Sequence, residues 1–303
     1  MSELLRDVAV IGCGPAGVQA AIHAASKKAS VIVFGKARNS SLYKAHVANY
    51  CCYEQPITGK ALLECGRSQA ESFGAEFLEE DLIETKCEND VFTVVAESGQ
   101  VFTSRTLILS MGVSRKKLGV KGEERLTGRG VSYCVDCDAN FFKGLEVAVV
   151  GNESAAASGA LTLLSYAKTV YLICRKLKVT DALSKKIKNS ELTVLEGERV
   201  KEIIGEDLVE GVLLKSGETL KVDGIFVERG AKGAIELAAN LGVMFDPETI
   251  DAVETNKKQE TNIPGLYAAG DIAGLPWQIA KAVGEGCVAG MAAADYAKRL
   301  AES

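Results

Sequence analysis

The sequence predicts an α/β fold of two Rossmann-like domains, the second inserted into the first. Three observations carry this. Residues 8–11 are a short continuous apolar run, as a buried parallel strand is, and they enter Gly12-Cys13-Gly14-Pro15-Ala16-Gly17 directly. Residues 147–150 are a second such run and lead to another glycine turn at Gly151. From residue 265 the first pattern returns, with a strand, a Gly270-Asp271 turn and a long helix rich in Ala and Gly.

Each element follows from local pattern. After the first turn, residues 18–25 read as a helix and 31–34 as a strand, completing a βαβ unit. Residues 62–73 have the spacing of an amphipathic helix. Residues 91–96 and 100–103 read as a hairpin around Ser98-Gly99, and 106–110 as a separate buried strand ending at Met111-Gly112. The second unit has a strand at 147–150, a turn at 151–155, a helix at 156–166 and a strand at 170–173. Residues 201–204, 209–214 and 219–222 form a small meander with Gly217 in a turn, and 224–228 a buried closing strand. Residues 265–269 are a strand and 278–298 the last helix. The expected boundaries put 1–113 with 242–303 and leave 114–241 as the insert.

A chain of 303 residues is long enough for two ordinary cores, and 47% hydrophobic with 25% charged residues is globular composition. The net charge of -5 argues against a nucleic-acid binder, which needs a basic face. The N-terminus lacks the basic and apolar regions of a signal peptide, and no apolar run nears the ~20 residues of a membrane span. A cytoplasmic protein is expected, with mostly free thiols among its nine cysteines. Cys13, Cys65, Cys87, Cys174 and Cys287 are read as small packing residues. Cys51-Cys52 is a vicinal pair, a kind that rarely bridges.

Two motifs carry chemistry. In the first turn Gly12 allows the tight bend, Gly14 the approach of a pyrophosphate, and Gly17 close helix–strand packing. The helix N-terminus then offers free N–H groups to phosphate, so a bound dinucleotide is expected. The second strand ends in Phe34-Gly35-Lys36 without the acid that clamps ribose in NAD sites. The other motif is Cys134-Val135-Asp136-Cys137-Asp138. Zinc would need two further ligands, but the chain has two histidines and no second CxxC. An inert buried pair is the remaining rival to a redox disulfide. The redox chemistry needs a thiolate, whose parent thiol titrates near ~8.5 when free. Asp138 would raise that value, so its expected part is general acid or base toward a leaving thiolate. Asp136 is read as a solvated turn residue.

Gly12 to Gly17, Ser110-Met111-Gly112, Cys134 to Asp138 and Ala269-Gly270-Asp271 occur in an order and at separations that resemble the low-molecular-weight thioredoxin reductases, over nearly the whole chain. The resemblance implies two three-layer ββα nucleotide-binding domains. One, built from both chain ends, would hold FAD; the insert would carry the Cys134–Cys137 disulfide; and the protein would be a homodimer. It implies FAD contacts at Gly12, Gly14, Pro15, Ala16, Gly17, Gly35, Lys36, Ser41, Leu42, Asn49, Gly112, Gly270 and Asp271. Gln278, Ile279 and Ala280, at the start of the last helix, would lie near the isoalloxazine. It also implies Cys134, Cys137 and Asp138 as catalytic residues and a thioredoxin-like protein as electron acceptor. Flavin and partner cannot reach one disulfide in one pose, so the insert should rotate about linkers near 112–116 and 237–242.

The chain departs from the family at the insert's nucleotide site. Relatives have GxGxxA for NADPH; here Gly151-Asn152-Glu153-Ser154-Ala155-Ala156 puts Glu153 at the second glycine. One like-charge contact at ~4 Å costs roughly 4 kcal/mol at an effective dielectric of ~20, and about 1 kcal/mol in water. The HRRxxxR clamp for the 2′-phosphate reads Cys174, Arg175, Lys176 and Thr180, with Lys178 nearby. The flavin-loop Gly-Gly-Gln is Asn39-Ser40-Ser41, and the closing strand ends in Glu228-Arg229-Gly230. The chain is thus similar to the ferredoxin-dependent branch. Ferredoxin, a deazaflavin, a second flavin and NADPH all stay open as donors.

Overall fold

The computed structural model describes residues 5–51, 53–112, 117–133, 135–228, 234–247 and 252–302, leaving aside the side chains of Asp136, Cys137 and Ala234. The chain divides into two compact units, residues 1–96, 100–113 and 237–303 in the first and 97–99 with 114–236 in the second.

The first unit opens with β1 (Arg6–Ile11), α1 (Pro15–Ser26) and β2 (Val31–Phe34). A two-residue ladder of β3 (His46–Val47) and β4 (Ile57–Thr58) leads into α2 (Gly59–Ser72), where Thr58 Oγ1 accepts from the Ala61 N–H. Then come β5 (Glu76–Leu78), β6 (Leu82–Glu88), β7 (Val91–Ala96) and β8 (Val101–Leu109).

The second unit contains β9 (Val131–Ser132), the single turn α3 (Val135–Asp138), β10 (Glu146–Val150), α4 (Ser154–Leu163), β11 (Thr169–Cys174), α5 (Asp181–Lys188) and β12 (Thr193–Glu196). A meander of β13 (Val200–Ile204), β14 (Gly211–Leu214) and β15 (Thr219–Leu220) precedes β16 (Gly224–Val227). Its parallel sheet has the order β12-β11-β10-β16-β9. Side chains alternate across that sheet. Val147, Val149, Leu172 and Phe226 pack with Ala156, Ala160 and Leu163 of α4. Ala148, Val150, Ile173, Ile225 and Val227 pack with Val200, Ile203, Val212 and Leu214 of the meander. Helix, parallel sheet and meander are therefore three layers, set by the period of two along each strand.

The chain ends with α6 (Ala234–Asn240), β17 (Leu266–Ala268) and α7 (Ile279–Glu302). The sheet of the first unit runs β5-β2-β1-β8-β7-β6, with β17 also on β8. Residues 100–103 and 106–110, expected as two strands, are one. β8 pairs antiparallel with β7 over its first half and parallel with β17 over its second, with β1 along its other side. Of the residues between the two expected strands, Arg105 donates from Nη1 to Asp7 Oδ1 at 3.0 Å, and next to it Thr106 Oγ1 donates to the Asp7 carbonyl at 2.8 Å. The fourth helix starts two residues earlier and ends three earlier than its apolar pattern suggested. Cys13 and Cys174 are buried, but Cys65, expected as packing, is exposed. It stands two residues off the stripe of Leu63 and Ala70 that α2 buries. Among the described residues no helix is long and apolar enough to cross a membrane.

α1 and α7 meet through backbone. A Cβ at Gly286 would lie 2.2 Å from the Ala16 carbonyl oxygen, and one at Gly290 2.3 Å from that of Ala20. This contact closes the nucleotide-side helix layer with Ala20, Ala24, Ala289 and Ala293 in its core. Gly290→Ala should cost about 1–3 kcal/mol by overpacking, lowering the melting midpoint by several degrees. Gly284→Ala, where nothing lies within 4 Å, should leave it unchanged or raise it. Thermal unfolding of the two full-length variants checks the contrast.

Candidate functional site

The first glycine turn is shaped by contacts that leave no room for side chains. Gly12 has φ 107°, and a Cβ there would lie 2.5 Å from the Ser110 carbonyl oxygen. A Cβ at Gly17 would lie 1.8 Å from the Gly12 carbonyl oxygen. Ser110 Oγ, 2.8 Å from the Ile11 carbonyl and 3.0 Å from that of Gly12, ties β8 to the turn. Gly14 is the N-cap of α1, in extended backbone, with Pro15 following and Ala16 and Gly17 buried. A Cβ at Gly14 would meet only Ser40 Oγ, at 3.5 Å. No side chain caps this helix and no acid lies in its first turn. Unsatisfied N–H groups, a positive dipole end and an open approach fit a pyrophosphate.

Around this turn the structure gathers residues far apart in sequence. Gly35, φ 132°, would place a Cβ 3.5 Å from the Cys13 N. Its N–H donates to the Leu78 carbonyl, and Lys36 Nζ donates to Asp81 Oδ2 at 2.8 Å. Ser40 Oγ accepts from the Leu42 N–H, turning the loop so that Leu42 is buried. Asn49 Nδ2 donates to Gln278 Oε1 at 3.1 Å, so two expected flavin-side residues meet across 229 positions. Pro15, Leu42, Tyr50, Cys65 and Ile279 border one cavity of about 160 Å³. Ser41 and Ala280 are exposed, and Gly112, φ 72°, has open space where a Cβ would be.

The Gly270-Asp271 turn is clamped by α7. Gly270, φ 85°, donates its N–H to Glu285 Oε2 at 2.8 Å, while Lys281 Nζ donates to the carbonyls of Gly270 and Gly274. Lys281 and Glu285 pair at 3.0 Å. Sequence reading missed both, although an i,i+4 cation–anion pair just after a Gly-Asp turn was there to be seen. Burial raises the Asp271 carboxyl above its ordinary range, and Lys281 offsets part of that.

In the second unit Cys134 and the Cys137 side chain, and hence the expected disulfide, lie outside the described residues. The Cys137 backbone is in α3, and so is that of Asp136, expected in a turn. Asp138 Oδ2 accepts from Ser132 Oγ at 2.7 Å, which fixes one carboxylate oxygen from β9. The second glycine turn keeps the tight half of its design. A Cβ at Gly151 would lie 1.8 Å from the Glu228 carbonyl oxygen and 2.5 Å from Ala156 Cβ. Its N-cap is Glu153, with ψ −174° as at Gly14, and its side chain makes no capping bond.

The expected 2′-phosphate clamp is dispersed. Cys174 is buried, and its thiol is raised to about 11 by burial. Thr180 Oγ1 accepts from the Leu183 N–H and caps α5. Arg175, Lys176 and Lys178 are exposed. Asn152 holds their loop, its Oδ1 accepting from the Arg175 N–H and its carbonyl from the Lys178 N–H. No group of three or more potential ligands could hold a metal among the described residues.

Comparison with known proteins agrees with this geometry. The family model for pyridine nucleotide-disulphide oxidoreductases matches residues 6–286. The thioredoxin reductase of Listeria monocytogenes is 34% identical over 313 residues, 99% of this chain and 97% of its own. The atypical thioredoxin reductase TRi from Desulfovibrio vulgaris Hildenborough has a TM-score of 0.84 at 33% identity, covering 97% of this chain and 98% of that one. The ferredoxin-flavin thioredoxin reductase from Clostridium acetobutylicum has a TM-score of 0.66 at 32% identity, covering 98% and 99%. The chain therefore belongs to the pyridine nucleotide-disulphide oxidoreductases, and within them to the thioredoxin reductases.

Proposed function

We propose that this oxidoreductase reduces a thioredoxin-like protein through FAD in its first unit and the Cys134–Cys137 pair in its second, with a donor other than NADPH, reduced ferredoxin being favoured. FAD is the cofactor of the family. Bound in the first unit, it supplies two-electron chemistry at a flavin ring. The proposed contacts are the Gly12–Gly17 turn for the pyrophosphate, Asp271 for the ribityl or phosphate portion, and the Asn49–Gln278 pair for the ring side. Cys134 and Cys137 take two electrons and two protons to become a dithiol, which then reduces the partner through a mixed disulfide. Asp138, held by Ser132, would supply the proton to the thiolate that leaves the flavin. The two events need different exposures of one disulfide, so the second unit rotates about its linkers. A cytoplasmic homodimer belongs to the same proposal.

One observation carries the donor assignment. Gly14 and Glu153 hold the same place, the extended N-cap of a phosphate-turn helix, and only Glu153 puts a carboxylate there. That anion competes with a pyrophosphate for the N–H groups and dipole of α4. The ferredoxin-flavin enzyme of Clostridium acetobutylicum, alike over nearly its whole length, supports ferredoxin. A second reading, NADPH as donor, is favoured by the three exposed cations at 175, 176 and 178 and by the family's name.

Anaerobic titration of the oxidised holoprotein separates the two. Reduced ferredoxin should bleach the flavin, and micromolar NADPH should not; prompt bleaching by NADPH would reverse the donor assignment. Glu153→Gly should tighten NADPH binding, between about fivefold and about a thousandfold for a relieved repulsion of about 1–4 kcal/mol. Cys134→Ser or Cys137→Ser should abolish reduction of a thioredoxin-like protein while flavin binding persists. Asp138→Asn should slow dithiol formation by about a hundredfold or more, with a smaller loss for Ser132→Ala.

Asp271 gives a prediction with two signs. In the flavin-free chain its raised value makes ionisation costly, so stability is lost as pH climbs from the unfolded value of 3.8 through the higher folded one. Asp271→Asn should then stabilise the flavin-free chain near neutral pH, with less effect near about pH 4, and weaken FAD retention. Melting curves and flavin fluorescence read the two effects.

A further inference from the structure

We propose that Glu123 is a positioning residue for the redox step. Acting through Tyr133, it ties the segment that enters Cys134 to residues 118 and 119, near the start of the second unit. The inference rests on the flavin–disulfide reading above.

The backbone of Glu123 is seated on the meander. The Ile203 N–H donates to the Lys121 carbonyl at 2.9 Å, and a Cβ at Gly122 would lie 2.0 Å from the Ile203 carbonyl oxygen. The turn then closes on itself, with the Leu126 N–H on the Gly122 carbonyl and Thr127 Oγ1 on that of Glu123. From this fixed base the side chain reaches both ways along the chain. Its Oε1 accepts from the Leu118 N–H at 2.7 Å and from the Tyr133 hydroxyl at 3.0 Å, and its Oε2 accepts from the Gly119 N–H at 2.6 Å. Glu123 is 2% exposed. A carboxylate so shielded is costly to bury unless donors meet it, and here three do. It has no access to water as an alternative partner, so the hydroxyl it binds is held in one place.

Tyr133 directly precedes Cys134. Ser132 and Tyr133 leave the end of β9 toward opposite faces, as successive residues of a strand do. Ser132 Oγ donates to Asp138 Oδ2 at 2.7 Å, while Tyr133 packs with the meander layer and donates to Glu123. Just before the first cysteine the chain is therefore tied by a carboxylate on each face. Disulfide exchange needs the attacking group aligned with the bond it breaks, and small displacements cost large factors in rate. Because one carboxylate holds both 118–119 and Tyr133, a rotation of the unit carries the redox segment with it instead of being absorbed between them.

The test uses the flavin-loaded full-length chain with dithiothreitol as the probe, which bypasses the natural donor. Dithiothreitol passes two electrons and two protons to the Cys134–Cys137 disulfide and closes to its own cyclic disulfide. The pair re-forms its S–S bond as the flavin takes the two electrons and bleaches. At high dithiothreitol the bleaching rate reaches a plateau set by the internal step, and the slope at low dithiothreitol reports attack on the disulfide. Tyr133→Phe keeps the ring and loses only the hydroxyl. It should lower the plateau about tenfold, with the slope close to the wild-type value. Glu123→Gln, which keeps one acceptor oxygen, should lose less than Glu123→Leu. The double variant of Glu123→Gln and Tyr133→Phe should lose little beyond the worse single one, as coupled residues do. Every variant should melt earlier, since buried groups lose partners; the plateau is the readout that a merely structural role would not move. A plateau unchanged in Tyr133→Phe, or plateau and slope falling together, would make Glu123 purely structural and overturn the proposal. A wild-type flavin that dithiothreitol does not bleach, or reduction that yields no thiols at positions 134 and 137, would overturn the flavin–disulfide reading, and this inference with it.

Discussion

A phosphate group can reach the N–H groups of a helix start only where the residue capping that helix leaves the approach open. The two phosphate turns of this chain show how much depends on that. Each follows a buried parallel strand, each uses a glycine where a Cβ would strike a carbonyl oxygen, and each ends in a small residue packed on the strand. Both N-cap residues have ψ −174°. The backbone of the second turn has therefore been kept, although its N-cap has become an anion. Retention of the shape is explained by the core. Gly151 and Ala156 serve contact with Glu228 and the packing of α4 on β10 and β16, which the unit needs whether or not a nucleotide binds. Geometry and ligand are separable at such a turn, and only the N-cap side chain distinguishes them.

The first unit shows the opposite case at its glycine turn. Its capping position is empty of side chain, and Lys36–Asp81 and Lys281–Glu285 are ion pairs of the same unit. Pairing matters because a phosphate brings its own negative charge. A cation left alone in this pocket would add affinity for any anion, whereas neutralised pairs leave selection to hydrogen-bond direction. Lys281 illustrates the point: its ammonium closes two carbonyls of the Gly270–Gly274 turn and a carboxylate at once. The turn holding Asp271 is thus set by α7, which explains why the last helix must be part of the same unit as the first strand.

Much of this was legible because strand–glycine–helix units are local. β1, α1, β10 and α7 follow from apolar runs and glycine spacing within ten to twenty-five residues. The misreadings share one cause, partners distant in sequence. β8 looked like two strands because Ser104 and Arg105 are polar; Arg105 is satisfied by Asp7, 98 residues away, and Ser104 is simply buried in the strand. α5 escaped notice because it buries only Leu183 and Ile187, too few for a periodicity. Thr180 stands where the clamp of relatives has an arginine, and its hydroxyl caps α5. Cys65 was assigned by residue type, and only the helix phase reveals that it faces out. Asp81 and Ser132 carry no motif at all.

The acid beside the dithiol raises a last physical point. A carboxylate disfavours a thiolate near it. In the proposed reaction Asp138 would therefore serve proton transfer, as a carboxylic acid when it donates, rather than stabilise a thiolate. For this the carboxyl has to point one way in every cycle. The Ser132 hydroxyl, itself buried at the end of β9, supplies that direction at 2.7 Å without adding a charge that would cancel the effect. Ser132 is thus the point at which the parallel sheet of the second unit fixes one oxygen of Asp138.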